Sequence, residues 1–223
     1  PVMGNIGVIP PEKGFLQEIR RACDEVGAIL IFDEVITGFR LSKGGAQKIF
    51  NIEPDITVLG KIIGGGFPVG AFGGRREYME NIAPAGKVYN AGTFNGNPVT
   101  MSAGLTVIRK LEDRVYAELE SKTKSLCKGL EEIFEDSKIP TQINRVGSMF
   151  TIFLTQSPVR DAESARSARA KDFMKMHRSM LERGVFLPPS QFESCFLSTA
   201  HSQEDLDNTL QAFSSSVKNW WMV

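Results

Sequence analysis

At 223 residues the chain is long enough to bury one large core or two smaller ones. Lys and Arg number 26 and Asp and Glu 26, so the formal net charge is zero, which argues against nucleic acid or an anionic membrane surface as a partner and favours a small ligand. The longest apolar runs, such as residues 28–32, fall far short of the roughly 20 residues needed to cross a bilayer, and no membrane span is expected.

Residues 1–5 are loop-like and read as an internal starting point, which leaves any targeting segment out of view. Across residues 12–25 the positions Phe15, Leu16, Ile19, Ala22, Cys23 and Val26 recur at three- and four-residue spacing, the period of an amphipathic helix, and Gly27 supplies its stop. Residues 28–32 are apolar at consecutive positions, as expected of a strand buried on both faces of a parallel sheet, and the run ends at Asp33 and Glu34. A second strand over 56–59 ends at Gly60 and Lys61, and a third over 69–72 follows a glycine-rich turn. Strands separated by helical or irregular crossovers give an α/β layer architecture. Pro98 opens a helix through Lys110 with Met101, Leu105, Ile108 and Leu111 on one face, and a longer helix follows over 115–134. The remainder reads as a smaller α+β domain: strands at 142–146 and 149–154, a helix over 169–183 ending at Gly184, strands at 185–187 and 195–198, and a last helix from Ser202. Residues 157–170 are polar enough for a surface loop. The domain boundary falls near Lys110, giving domains 1–110 and 111–223.

In open α/β sheets ligands gather at the carboxyl ends of the strands, which singles out Asp33 and Lys61. A lysine amine kept neutral by partial burial or neighbouring positive charge condenses with an aldehyde. An aspartate beside the same aldehyde keeps a pyridine nitrogen protonated, so that the ring accepts electrons. Together they supply two fixed points of a pyridoxal phosphate site. The plainer alternatives are a solvated lysine and a turn-forming aspartate. Gly64 to Gly66 reads either as a tight turn or as a close approach of backbone to ligand, and nucleotide-binding fingerprints fail here, because Val69 and Asp55 stand where glycines are required. Residues 91–98 form a polar loop that opens a helix and suits an anion, with Thr93 as the phosphate-binding hydroxyl; alternatively Thr93 or Asn97 caps the helix. Cys23, Cys127 and Cys195 are odd in number and far apart, so they read as reduced intracellular thiols, and His177 and His201 lack metal-ligand spacing, so no metal is expected.

Three blocks carry a resemblance: residues 32–40 (FDEVITGFR), residues 59–71 (LGKIIGGGFPVGA), and Ala91-Gly92-Thr93 with Gly96-Asn97-Pro98. They resemble class III pyridoxal-phosphate aminotransferases of fold type I, over nearly the whole chain. Thr37-Gly38-Phe39-Arg40, residues 70–75 (GAFGGR) and residues 187–193 (LPPSQFE) point within that class to the aminomutases, which move an amino group within one five-carbon amino-aldehyde. The resemblance implies that residues 1–110 are the second half of a cofactor-binding large domain with a mostly parallel sheet, and that 111–223 are a small carboxy-terminal α+β domain. It implies that Lys61 is the Schiff-base lysine, that Asp33 pairs with the pyridinium nitrogen, that Val35 packs on the ring, and that Thr93 binds the phosphate across a homodimer interface. It places Asn5 near the ring's phenolic oxygen and Glu193 at the substrate entrance.

Arg40 and Arg75 are candidate partners for a substrate carboxylate. Phe94-Asn95 departs from the family's more familiar Leu-Ser and leaves the nearby substrate contacts open. The cofactor expected is pyridoxal 5'-phosphate, passing through its pyridoxamine form. Relatives about twice as long imply an absent amino-terminal half, without which these residues alone are expected to show little activity. The expected location is cytoplasmic, or plastid if a transit segment precedes Pro1. The rival readings are an aminotransferase with separate donor and acceptor, a racemase of the same fold, or a non-catalytic assembly module.

Overall fold

The computed structural model describes residues 1–221. It divides into two compact units, one of Pro1 with Pro11–Asp113, the other of Val2–Pro10 with the chain from Arg114 onward.

In the first unit, helix α1 (Phe15–Val26) ends where Gly27 turns left-handed at φ 68° and returns its N–H to the Cys23 carbonyl. Its Leu16, Ile19 and Cys23 pack on Leu30, Phe32 and Ile52, the core of this unit's helical side. Strand β1 (Ile31–Asp33) runs parallel to β2 (Ile56–Gly60), pairing Asp33 with Val58, and β2 runs antiparallel to β3 (Gly70–Gly74). The first strand is shorter than expected, and its burial is one-sided. Phe32 is buried whereas Ile31 remains 55% exposed, because α1 and α2 (Gly45–Phe50) cover only the face carrying Phe32 and Glu34. After β2 comes a single 3-10 turn, Lys61–Gly64, then β3, α3 (Arg76–Met79) and α4 (Pro98–Lys110).

The expected apolar face of α4 is not the one that packs. Met101 and Leu105 are about half exposed, while Ala103 and Gly104 lie against the 3-10 turn. A Cβ on Gly65 would stand 2.6 Å from the Ala103 carbonyl oxygen, and one on Gly104 would stand 2.0 Å from the Ile63 carbonyl oxygen. Close approach of backbones, which only small residues permit, decides this face.

The second unit contains α5 (Asp113–Asp136), the antiparallel sheet β4 (Gln142–Val146), β5 (Met149–Phe153) and β6 (Cys195–Phe196), and helices α6 (Ala162–Ser167), α7 (Ala170–Leu181) and α8 (Gln203–Trp221). Every residue of β5 is buried, and its alternation separates two cores. Phe150 and Ile152 face Leu130 and Phe134 of α5, Met176 and Met180 of α7 and Phe213 of α8, whereas Phe153 faces Ile9, Val159 and Ala165. Thr151 accepts the Val8 N–H at 2.9 Å, tying residues 2–10 to this sheet. Two expectations fail here. The polar stretch 157–170 contains α6, capped by Asp161 and Ser164 in a reciprocal box, and residues 185–187 form no strand, because Val185 N–H closes the end of α7 on the Met180 carbonyl.

Candidate active site

The site is assembled at the carboxyl ends of β1 and β2. Glu34 N–H donates to the Val58 carbonyl at 2.9 Å, the rung just beyond Asp33, and the chain then turns away through residues 35–41. Asp33 is exposed and its Oδ1 accepts the Val35 N–H at 2.9 Å, which leaves the other carboxylate oxygen open. Glu34, one residue on, points to the opposite, helix-covered face and is fully buried.

Lys61 leaves β2 in the left-handed region, at φ 50°, a backbone that a non-glycine residue occupies at a cost of about 1 kcal/mol. Its side chain is exposed. Just before it, Gly60 shares the face of Val58 and hence of Asp33, and a Cβ there would meet Val35 Cγ1 at 3.2 Å. Val35 therefore stands on the same open face. Lys61 begins three residues past Val58, roughly 10 Å along the strand, a distance that a lysine side chain and one aromatic ring can span together. Asp33 and Val35 are thus brought together on one face, and Lys61 stands in the turn that ends the neighbouring strand.

Thr93 is exposed in the loop preceding α4. The helix cap is Asn97, whose Oδ1 accepts the N–H groups of Val99 (3.0 Å) and Thr100 (3.3 Å), so the Thr93 hydroxyl is not used in capping. Residues 94–96 border an open cavity of about 810 Å³ with Ile63, Val69, Phe72 and Met101, next to the turn that bears Lys61. A further cavity, about 470 Å³, opens on the reverse face between Glu34, Gln47, Thr57 and Leu59 and contains none of the expected site residues.

Asn5 and Glu193 lie in the second unit, and there they are neighbours. Gly7 N–H donates to the Phe192 carbonyl at 2.6 Å, and Ser194 Oγ donates to the Gly4 carbonyl at 3.0 Å, so the two loops are laced together around both exposed side chains.

Arg75, a candidate for the substrate carboxylate, is engaged elsewhere. Asp55, 4% exposed, meets it at 3.2 Å while accepting the Leu30 N–H and the Arg20 guanidinium at 2.8 Å each. The Leu30 amide first, and then Arg20, hold the Asp55 carboxyl below the usual carboxylate range. Neither this clamp nor the buried Glu34 was singled out from the sequence; the only signal was an acidic residue next to an apolar strand, which is as often a solvated turn. Among the described residues no cluster of three or more His, Cys, Asp or Glu side chains could hold a metal, and no helix is long and apolar enough to cross a membrane.

Residues 1–217 match the profile of the family described as aminotransferase class-III. The chain belongs to this family. It is 52% identical over 219 residues to the glutamate-1-semialdehyde 2,1-aminomutase of Aquifex aeolicus, covering 98% of this chain and 52% of that protein. It is 53% identical over 212 residues to the enzyme of the same name from Methanothermobacter thermautotrophicus, covering 95% and 50%. Among solved structures, an omega-transaminase from Sphaerobacter thermophilus superposes with a TM-score of 0.89 at 36% identity, over 97% of this chain and 50% of that one. A glutamate-1-semialdehyde aminomutase from Pseudomonas aeruginosa shares the fold with a TM-score of 0.87 at 24% identity, over 99% and 51%. The chain thus spans about half the length of the curated relatives it matches. These solved relatives show that the two units carry the fold of pyridoxal-phosphate aminotransferases.

Proposed function

We propose that this chain supplies the lysine-bearing part of a pyridoxal-phosphate-dependent glutamate-1-semialdehyde 2,1-aminomutase, which forms 5-aminolevulinate for tetrapyrrole biosynthesis. The observation that carries the reading is the clustering at two neighbouring strand ends of an exposed lysine in a left-handed turn, a valine packed on the glycine before it, and an aspartate one strand away. Identity above 50% to aminomutases of that name supports the choice of substrate.

The residues present fit the cofactor by the chemistry of their donors and by the bare backbone at Gly60. When bound, pyridoxal phosphate supplies an aldehyde that exchanges among primary amines and a ring that takes up the electrons of a breaking C–H bond. Asp33 holds a proton on the ring nitrogen with its open oxygen, its other oxygen being fixed by Val35 N–H. Val35 supplies an apolar wall against the ring. Lys61 Nζ would hold the aldehyde carbon, and its amine would take and return the proton at the substrate carbon that gains or loses nitrogen. Thr93 Oγ1 would donate to the phosphate, from the partner subunit of a homodimer. The roles of Asn5 beside the phenolic oxygen and of Glu193 at the entrance rest on the resemblance alone.

The decisive assay supplies the holoenzyme with glutamate-1-semialdehyde as sole substrate. Formation of 5-aminolevulinate without any second amino donor is expected. Turnover that requires a separate donor would instead favour the aminotransferase reading, to which the 36% identity with an omega-transaminase lends weight.

A further inference from the structure

Glu34 has no part in the chemistry above, yet its buried carboxylate accepts four hydrogen bonds. The donors are the Thr37 hydroxyl, the N–H groups of Ala46 and Gln47 at 2.9 Å each, and Gln47 Nε2 at 3.3 Å, which also reaches Thr57 Oγ1 on β2 at 3.3 Å. No cation is among them. Burying a carboxylate costs more than burying an apolar side chain of the same size, and what distinguishes this one is the directed geometry of its four bonds.

That geometry is specific. The backbone of Glu34 is fixed at both ends, its N–H on the Val58 carbonyl and its carbonyl on the Gly38 N–H at 2.8 Å. Gly45 sits at φ 67°, and a Cβ there would stand 2.6 Å from either carboxylate oxygen of Glu34. At Gly38 a Cβ would meet the Glu34 carbonyl oxygen at 2.6 Å and Leu59 at 2.5 Å. Both glycines leave room that the glutamate and its turn fill. Between the rung at Glu34 and the anchor at Thr37 lie only Val35 and Ile36, and the Val35 N–H is the group that orients Asp33 Oδ1.

We infer that Glu34 is a positioning residue for Asp33: by pinning the turn from the reverse face of the sheet, its carboxylate fixes the Val35 amide and hence the direction in which Asp33 presents its open oxygen. The inference rests on Asp33 being the partner of the cofactor's ring nitrogen. It extends the site through the sheet to α2.

The test is Glu34→Gln in the holoenzyme. The glutamine places an NH2 group where an oxygen now accepts a backbone N–H, so at least one of the bonds from Ala46 and Gln47 is lost. The expected result is a shifted pH titration of the bound cofactor's visible absorption and about 10-fold weaker cofactor binding. With these should come a kcat about 10- to 100-fold lower at saturating cofactor with KM little changed, the scale of a small misplacement of a reacting group. Thr37→Val, which removes one bond and keeps the carboxylate, provides a second reading should the glutamine variant fail to fold. It should move the same quantities about three- to ten-fold, as for one lost hydrogen bond. A lower melting temperature with wild-type titration, affinity and kcat would overturn the inference, as would wild-type behaviour of Thr37→Val beside an unfolded Glu34→Gln. A wild-type protein that takes up no pyridoxal phosphate would overturn the reading of Asp33 and this inference with it. One that binds and turns over beside an indistinguishable Glu34→Gln protein would overturn the inference alone.

Discussion

Asp33 and Asp55 lie in the same unit and are given opposite tasks by their surroundings. Asp33 is exposed, with one oxygen committed to a local amide, and is available to hold a proton on a ligand. Asparagine at that position keeps the hydrogen bond to Val35 and loses the charge. Asp33→Asn should therefore lower kcat about 100-fold or more in excess cofactor, as measured by steady-state turnover. Asp55 is buried against Arg20 and the Leu30 amide, which lower its pKa in the folded protein. A depressed carboxyl pKa contributes stability that is present above the unfolded value, about 4, and is lost as pH falls through the folded one. Asp55→Asn should cost about 2–4 kcal/mol at pH 7, with the difference from wild type shrinking towards pH 3, as read by urea denaturation at the two pH values.

At the scale of elements, α4 links the Lys61 turn to the loop holding Thr93, and the link depends on Gly104. Helix propensity alone says that alanine at a mid-helix glycine stabilises by roughly 0.5–1 kcal/mol. The packing says the reverse, since the new methyl would lie 2.0 Å from the Ile63 carbonyl oxygen, and a backbone atom cannot move aside as a side-chain end can. Gly104→Ala should destabilise by about 1–3 kcal/mol and weaken cofactor binding, measured by thermal unfolding and by cofactor titration. The helix itself was legible in the sequence, from Pro98 to Lys110, but its packing face was not. Apolar spacing chose Met101 and Leu105, whereas backbone proximity chose Ala103 and Gly104, and hydrophobicity carries no record of that. The ends of β1 and β2 were legible because charge follows apolar residues abruptly there, and Gly27 announced the end of α1. Burial of Glu34 was hidden, since its donors come from residues 3 to 13 positions further along the chain. The α6 helix was hidden behind polar composition, although Asp161 and Ser164 carried a capping signature. Burial also pushes the Cys127 and Cys195 thiols up to about 12, so both should resist alkylation in the native protein at pH 8, as followed by intact mass.

For the molecule as a whole, the open face of the first unit is both the proposed seat of its chemistry and a liability. Tyr89 and Phe94 are 84% and 74% exposed near the same loop as Thr93, and Ile31 stands uncovered on the face of Asp33. Apolar surface of this kind favours association, and the curated relatives are about twice as long. Residues 1–223 produced by themselves should self-associate with rising concentration in sedimentation velocity and hold pyridoxal phosphate weakly. The claim on which the rest depends is that Lys61 is the amine that meets the cofactor. Borohydride reduction of the holoenzyme, followed by peptide mass mapping, tests it most directly. A pyridoxyl adduct on the peptide containing Lys61, absent in Lys61→Ala, is the expected result; an adduct on another lysine, or none in a protein that turns over, would contradict it.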